Sequence, residues 1–138
     1  MTDRLAHIVR EAARAYTRDL TARLARERVS FGNWTFLRIL WEKDGLTQRE
    51  LSDQAGVMEP TTAAALKTMA EVGYVERRRQ ADNRRSLYVY LTPKGRALRA
   101  KLEPLAVEVN RAAVRNVPAA DIAACRRALT AILANLKP

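Results

Sequence analysis

Leu5, Ile8, Ala12, Ala15/Tyr16, Leu20 and Leu24 recur at spacings of three and four, and arginines occupy the remaining faces of the same stretch. That period predicts an amphipathic helix over about 3–28, and no Gly or Pro interrupts it. A stripe of this length exceeds what one small domain can cover, so a partner subunit is its expected cover. Val29-Ser30-Phe31-Gly32-Asn33 breaks the pattern, and Ser30 can cap a second helix over about 31–43 that carries Trp34, Phe36, Leu37, Ile39, Leu40 and Trp41. Asp44-Gly45 stops it. Thr47-Gln48-Arg49-Glu50, directly before Leu51, has the spacing of a capping box, and Ala55-Gly56 supplies a tight turn after the short helix it opens. Glu59-Pro60 starts the next helix, with Pro in its favoured first position, and Val72-Gly73 ends it. At about 100° per residue, Leu66, Met69, Ala70 and Gly73 share one face and Thr61, Ala64, Thr68 and Glu71 the opposite one.

Beyond Gly73 the period falls to two. Leu87, Val89 and Leu91 alternate with Tyr88 and Tyr90, as in a strand with one buried face, and Tyr74 to Arg79 can pair with it. Asp82-Asn83 is turn chemistry, so the pair reads as a hairpin whose tip presents Arg84 and Arg85. Pro93 opens another long helix with Leu98, Leu102, Leu105, Val109 and Ala112/Ala113 on its stripe, which Pro104 should bend. Asn116-Val117-Pro118 interrupts it, and Ile122, Cys125, Leu129, Ile132 and Leu136 line a last helix. A helix-turn-helix followed by an arginine-bearing hairpin is a winged helix-turn-helix. The predicted fold class is therefore mainly α with a small β-hairpin wing. Residues 1–138 form a single domain, with 45–92 as the DNA-binding part and 3–28 and 93–136 as the helical dimerisation part.

Charge changes the picture more than composition does. Apolar residues make up 48% and charged residues 29% of the chain, ordinary for a globular domain. The formal net charge of +10 and a pI near 10.6 fit a polyanionic partner, since Lys and Arg displace counterions from phosphates. Five of the 25 basic residues are Lys and the rest Arg, which suits bidentate phosphate and base-edge contacts. Double-stranded DNA is the expected partner; the narrow deep groove of A-form RNA would not admit a recognition helix. No apolar run approaches the roughly 18 residues of a membrane span, and the first residues lack the apolar core of a secretory signal, so the expected place is the cytoplasm. One His, one Cys, no Gly-rich phosphate loop and no spaced His/Cys/carboxylate set predict no catalytic residue, no metal and no cofactor, hence no enzyme. Cys125 is expected to be buried as a small hydrophobe rather than to act as a redox sensor.

Asp82-x-Arg84-Arg85 followed by Leu91-Thr92-x-Lys94-Gly95, with Gly56-Val57-x-x-Pro60-Thr61 ahead of it, resembles the MarR (multiple antibiotic resistance regulator) family of bacterial repressors. Trp34-x-Phe36-Leu37-Arg38-x-Leu40-Trp41, leading into Leu46-Thr47-Gln48-Arg49-Glu50-Leu51, fits a branch of the same family, and the likeness runs through essentially the whole chain. The resemblance implies a cytoplasmic, nucleoid-associated homodimer held by the N-terminal and the two C-terminal helices, its two winged domains in successive major grooves of a pseudo-palindrome. It implies that Arg84 reaches into the minor groove and that Asp82 braces the hairpin. The DNA-binding set expected on these grounds is Thr47, Arg49, Thr61, Thr62, Ala64, Lys67, Thr68, Arg77, Asp82, Arg84 and Arg85.

One position departs from the family pattern. Many relatives carry Arg where this chain has Ala64, which leaves Thr61, the Ala64 methyl and Thr68 to read bases, with Lys67 on a phosphate. A weaker direct code is expected, with more of the specificity coming from the wings and from DNA deformability. The resemblance also implies an effector pocket between the dimer helices and the winged domain. Small aromatic carboxylates or phenols would enter it and release the repressor. Tyr16, Phe31, Trp34 and Trp41 fall in the regions that would wall it, and His7, Arg14, Arg18, Trp34 and Arg38 are the candidate ligand contacts. The alternative function is an architectural winged-helix protein that coats DNA without a small-molecule effector.

Overall fold

The computed structural model describes residues 3–81 and 83–138, without the side chains of Asp3, Asn83 and Arg84. The order is α1 (Asp3–Ala25), α2 (Phe31–Glu42), β1 (Leu46–Thr47), α3 (Gln48–Ala55), α4 (Glu59–Glu71), β2 (Val75–Gln80), β3 (Asn83–Leu91), α5 (Pro93–Ala97), α6 (Arg99–Ala113) and α7 (Ala119–Asn135). The winged helix-turn-helix expected from the alternation of periods is present.

Helix α2 is the hub of the core. Its N-terminus is capped by the Ser30 side chain, which accepts from the Asn33 N–H at 3.1 Å, and Trp34, Phe36, Leu37, Ile39 and Leu40 are all buried along it. Against them pack Leu20 and Leu24 of α1, Leu51 of α3, Leu66 and Met69 of α4, Val75, Val89 and Leu91 of the sheet, and Leu102 and Val109 of α6. Only the C-terminal part of the α1 stripe joins this core. Leu5, Ile8 and Tyr16 stay exposed along α1 in the single chain.

The sheet has three strands, in the order β1-β3-β2, all antiparallel. Strand β1 was not anticipated, because two residues are too few to show a period; Leu46 lies opposite Val89 and Thr47 opposite Tyr88. The hairpin also differs from expectation at its end. Gln80 pairs with Asn83, so β3 already contains residues 84 and 85, and the wing arginines belong to the strand rather than to the turn.

The helix expected from Pro93 onward is two helices. It breaks at Leu98, and α6 then runs helically through Pro104, so the discontinuity falls six residues before the proline and not at it. The short α5 is shaped by a latch on the recognition helix. Thr92 Oγ1 donates to Gly73 O at 2.5 Å, Lys94 Nζ donates to Val72 O at 2.9 Å, and the Trp41 indole N–H donates to Gly95 O at 3.0 Å. Leu91-Thr92-x-Lys94-Gly95, legible in the chain only as a family mark, thus ties the end of the wing to the end of α4.

Helix α7 has no buried residue. Cys125, expected in a core, is exposed, as is Leu129, and Ile122 on the same face is only half-buried by the described residues. The stripe exists, but the described residues of this chain leave much of it open.

Candidate nucleic-acid interface

The helix-turn-helix is held rigid from inside. Thr47 accepts from the Glu50 N–H at 3.1 Å while the Glu50 carboxylate accepts from the Thr47 N–H at 3.0 Å, the reciprocal pair predicted from their spacing. The Thr47 backbone N–H, and after it the Thr47 side chain, hold the Glu50 carboxyl below the ordinary glutamate value. A lowered folded-state value contributes stability above the unfolded value and loses it as pH falls through the folded one. The unfolding midpoint in urea should therefore decline below about pH 5, and Glu50→Gln, which cannot titrate, should flatten that decline. Thr47→Ala should cost about 1 kcal/mol at neutral pH. A urea midpoint for Glu50→Gln that fell with acid as steeply as the parent's would contradict this assignment.

Gly56 ends α3 at φ 70°, the left-handed conformation that lets the chain turn directly into α4. Behind the turn the hydroxyls of Ser52 and Thr62 meet at 2.7 Å, and Ser52 Oγ also reaches Gln48 O at 3.0 Å. Ser52 has one proton, so Thr62 supplies the other bond when that proton goes to Gln48. Thr62 was expected among the DNA contacts, and the structure corrects that. It is 0% exposed, one position round the helix from Thr61, and it cements α4 to α3 instead of facing out.

The other predicted α4 residues do face solvent. Thr61, Ala64, Lys67 and Thr68 are all exposed, opposite buried Leu66 and Met69. Thr68 spends its hydroxyl proton on its own helix, donating to Ala64 O at 3.4 Å, which leaves Thr61 as the better-placed hydroxyl. Beside the N-terminal end of α4 lies a cleft of about 420 Å³ lined by Thr47, Gln48, Arg49, Glu59, Arg79, Arg85, Ser86 and Leu87. It brings together three predicted residues, Thr47, Arg49 and Arg85, from β1, α3 and the wing.

Arg79 belongs to this cluster and sequence reasoning missed it. The signal was available: residues two apart on a strand share a face, so Arg79 accompanies Arg77. Arg77 opposes Val89 and Arg79 opposes Leu87. One sheet face is consequently apolar at its base, with Val75, Val89 and Leu91, and cationic further out at Arg79 and Arg85. Arg77 is exposed on the same face but does not line the cleft. Arg78, on the reverse face, is committed internally, lying 4.2 Å from the Tyr90 ring and 3.3 Å from Glu76. Asp82 and the Arg84 side chain lie outside the described residues.

The proposed ligand contacts divide. Trp34 and Arg38 line one cavity of about 290 Å³ between α1, α2 and α6, together with Tyr16, Phe31 and Asn110. Arg18 lines a neighbouring groove between α1 and α6, which shares Tyr16 and Val109 with that cavity. His7 and Arg14 line neither. His7 is nine residues from Tyr16, about 13 Å along the helix, and Arg14 points some 200° round from Tyr16 and pairs with Glu11 at 3.2 Å. Trp41 stands behind the cavity, its ring 5.7 Å from that of Trp34 in an edge-on contact.

This geometry has known counterparts. The MarR family model matches residues 30–87, the span from the start of α2 into the wing. The solved transcriptional regulator PA3341 is 32% identical and superposes with a TM-score of 0.85, over 96% of this chain and 97% of that one. The chain belongs to the MarR family. Its members are transcriptional regulators, so this MarR-family chain is a regulator and not an enzyme. The HTH-type transcriptional regulator TtmR of Methylorubrum extorquens is 30% identical over 105 residues, 76% of this chain and 54% of that protein. The homoprotocatechuate degradative operon repressor of Escherichia coli is 32% identical over 89 residues, 64% of this chain and 58% of the repressor. The match thus spans little more than half the length of these two curated relatives. No helix among the described residues is long and apolar enough to cross a membrane.

Proposed function

We propose that this MarR-family regulator is a homodimeric repressor that binds a pseudo-palindromic operator and is released by a small aromatic acid or phenol. The observation that carries the DNA-binding reading is the placement of the Arg49, Arg79 and Arg85 cleft beside the leading end of α4, whose exposed edge bears Thr61 and Ala64. Phosphate contacts set position and base edges set sequence, and the two kinds of side chain stand here side by side. With α4 in the major groove, the cationic outer wing follows the backbone toward the minor groove, where Arg84 is the expected minor-groove residue.

Dimerisation is supported by the uncovered stripes of α1 and α7. The ligand reading is supported by Trp34 and Arg38 in one cavity, an aromatic wall beside a cation, and by the phenolic operon named for the Escherichia coli relative. Raised melting temperature in a screen of aromatic acids, followed by loss of operator binding with each hit, tests it, since a ligand that binds the folded state stabilises it.

Titration of operator and random duplexes at several salt concentrations separates the two parts of the interface. Arg84→Ala and Arg85→Ala should each weaken binding to both duplexes, lowering the salt slope by about 0.9 for every phosphate left without its cation. Thr61→Ala should keep the slope and lose about 1–3 kcal/mol of discrimination against mutated half-sites. Unchanged discrimination for Thr61→Ala would mean that another face of α4 meets the bases.

A further inference from the structure

The leading end of α4 is unusually apolar for a surface that reads DNA. A helix N-cap favours Ser, Thr, Asp or Asn, whose oxygen takes up an orphan N–H. Met58 holds that position here, makes no side-chain cap bond and is 76% exposed. Val57 beside it is exposed as well. About one and two turns on, Thr61 and Ala64 add a γ-methyl and a β-methyl to the exposed side of the helix. The helix sequence Glu59-Pro-Thr-Thr-Ala-Ala-Ala-Leu-Lys-Thr-Met-Ala-Glu71 contains no Arg, Asn or Gln, and its single Lys, Lys67, comes a turn after Ala64, so the leading turns of α4 have no side chain for bidentate pairing with guanine or adenine.

The patch is continuous with the cationic cleft, since Glu59 follows Met58 and lines it with Arg49, Arg79 and Arg85. Its occupant therefore sits next to a phosphate-binding surface, and a duplex satisfies both. The major groove presents one apolar feature, the C5 methyl of thymine. We propose that this regulator reads thymine methyl groups, with Met58 and Ala64 as the specificity-determining residues and the Thr61 methyl beside them. The inference rests on the DNA-binding reading above and names the chemistry that α4 selects. It places A·T pairs, thymines toward Met58 and Ala64, at the centre of each half-site. It also makes 5-methylcytosine a better neighbour for this helix than cytosine, because the added methyl occupies the same place in the groove.

The test uses the full chain and a duplex that the chain itself selects from a randomised library. The selected duplex is resynthesised with uracil for thymine in the half-sites, which removes the methyl and leaves every Watson–Crick and phosphate group in place. Affinity should fall about fourfold for each methyl touched, the equivalent of one buried methylene. The salt slope should not change. Met58→Gln, similar in length but polar, should bind the thymine duplex less tightly and bring the thymine-to-uracil ratio toward one, while binding the uracil duplex nearly as the parent does. Replacing a half-site cytosine beside these residues by 5-methylcytosine should raise affinity for the parent and not for Met58→Gln. Equal affinity of the parent for thymine and uracil duplexes would overturn the proposal while leaving DNA binding intact. Failure to select or bind any duplex would overturn the DNA-binding reading itself.

Discussion

Gly95→Ala is expected to destabilise this protein by about 2–4 kcal/mol and to lower its melting midpoint by roughly 10 °C. A Cβ built on Gly95 would stand 2.1 Å from Tyr74 O and 3.1 Å from Tyr74 C. The obstacle is backbone and cannot swing aside like a flexible side chain. Tyr74 O is moreover engaged, accepting from the Thr92 N–H at 3.1 Å. Moving either segment strains the bonds that join Thr92 to Gly73, Lys94 to Val72 and Trp41 to Gly95, each worth about 1 kcal/mol. The damage should reach function, because this latch sets the angle between wing and recognition helix. Operator affinity should drop even at a temperature where the variant is folded. Gly32→Ala is the control: its Cβ would meet only Ser30 Oγ, at 3.9 Å, and stability should hold or rise slightly. Thermal unfolding at matched protein concentration decides the matter, and a melting midpoint for Gly95→Ala within a degree or two of the parent would refute the latch.

Breaking the proposed dimer should have the largest effect on DNA binding. Ile8 on α1 and Leu133 on α7 are 60% and 70% exposed and support no core in the single chain. Ile8→Glu and Leu133→Glu should leave the winged domain folded, with unaltered helix signal, while placing a carboxylate in an apolar interface expected to exceed about 2,000 Å². Light scattering should then report a monomer of 15.5 kDa at micromolar concentration, against a dimer for the parent. Operator affinity should fall by a factor of about 10² or more, because two tethered half-site contacts become independent. A parent chain that is itself monomeric under these conditions would sink the dimeric repressor.

The elements were legible in the chain wherever a period ran long enough to repeat. The stripes of α1, α2 and α4, the alternation of β3, the Thr47–Glu50 capping box and the Gly56 turn are local features, dictated by neighbours three or four residues away. So was the outward face of α4, with Thr61, Ala64, Thr68 and Glu71 exposed opposite Leu66 and Met69. What depended on distant partners was not legible. Strand β1 exists because Leu46 finds Val89, and the break at Leu98 because α5 latches onto α4 while α6 packs along α1. Thr62 looked equivalent to Thr61 in one dimension, yet a rotation of 100° puts its hydroxyl against Ser52. Arg79 shares a strand face with Arg77 in the sequence, but its place in the cleft was decided only when β2 and β3 paired and carried it alongside Arg49 of α3. Cys125 lies on an apolar stripe that the described residues of its own chain leave largely open. Periodicity states that a face is apolar, and only tertiary packing states what, if anything, stands against it.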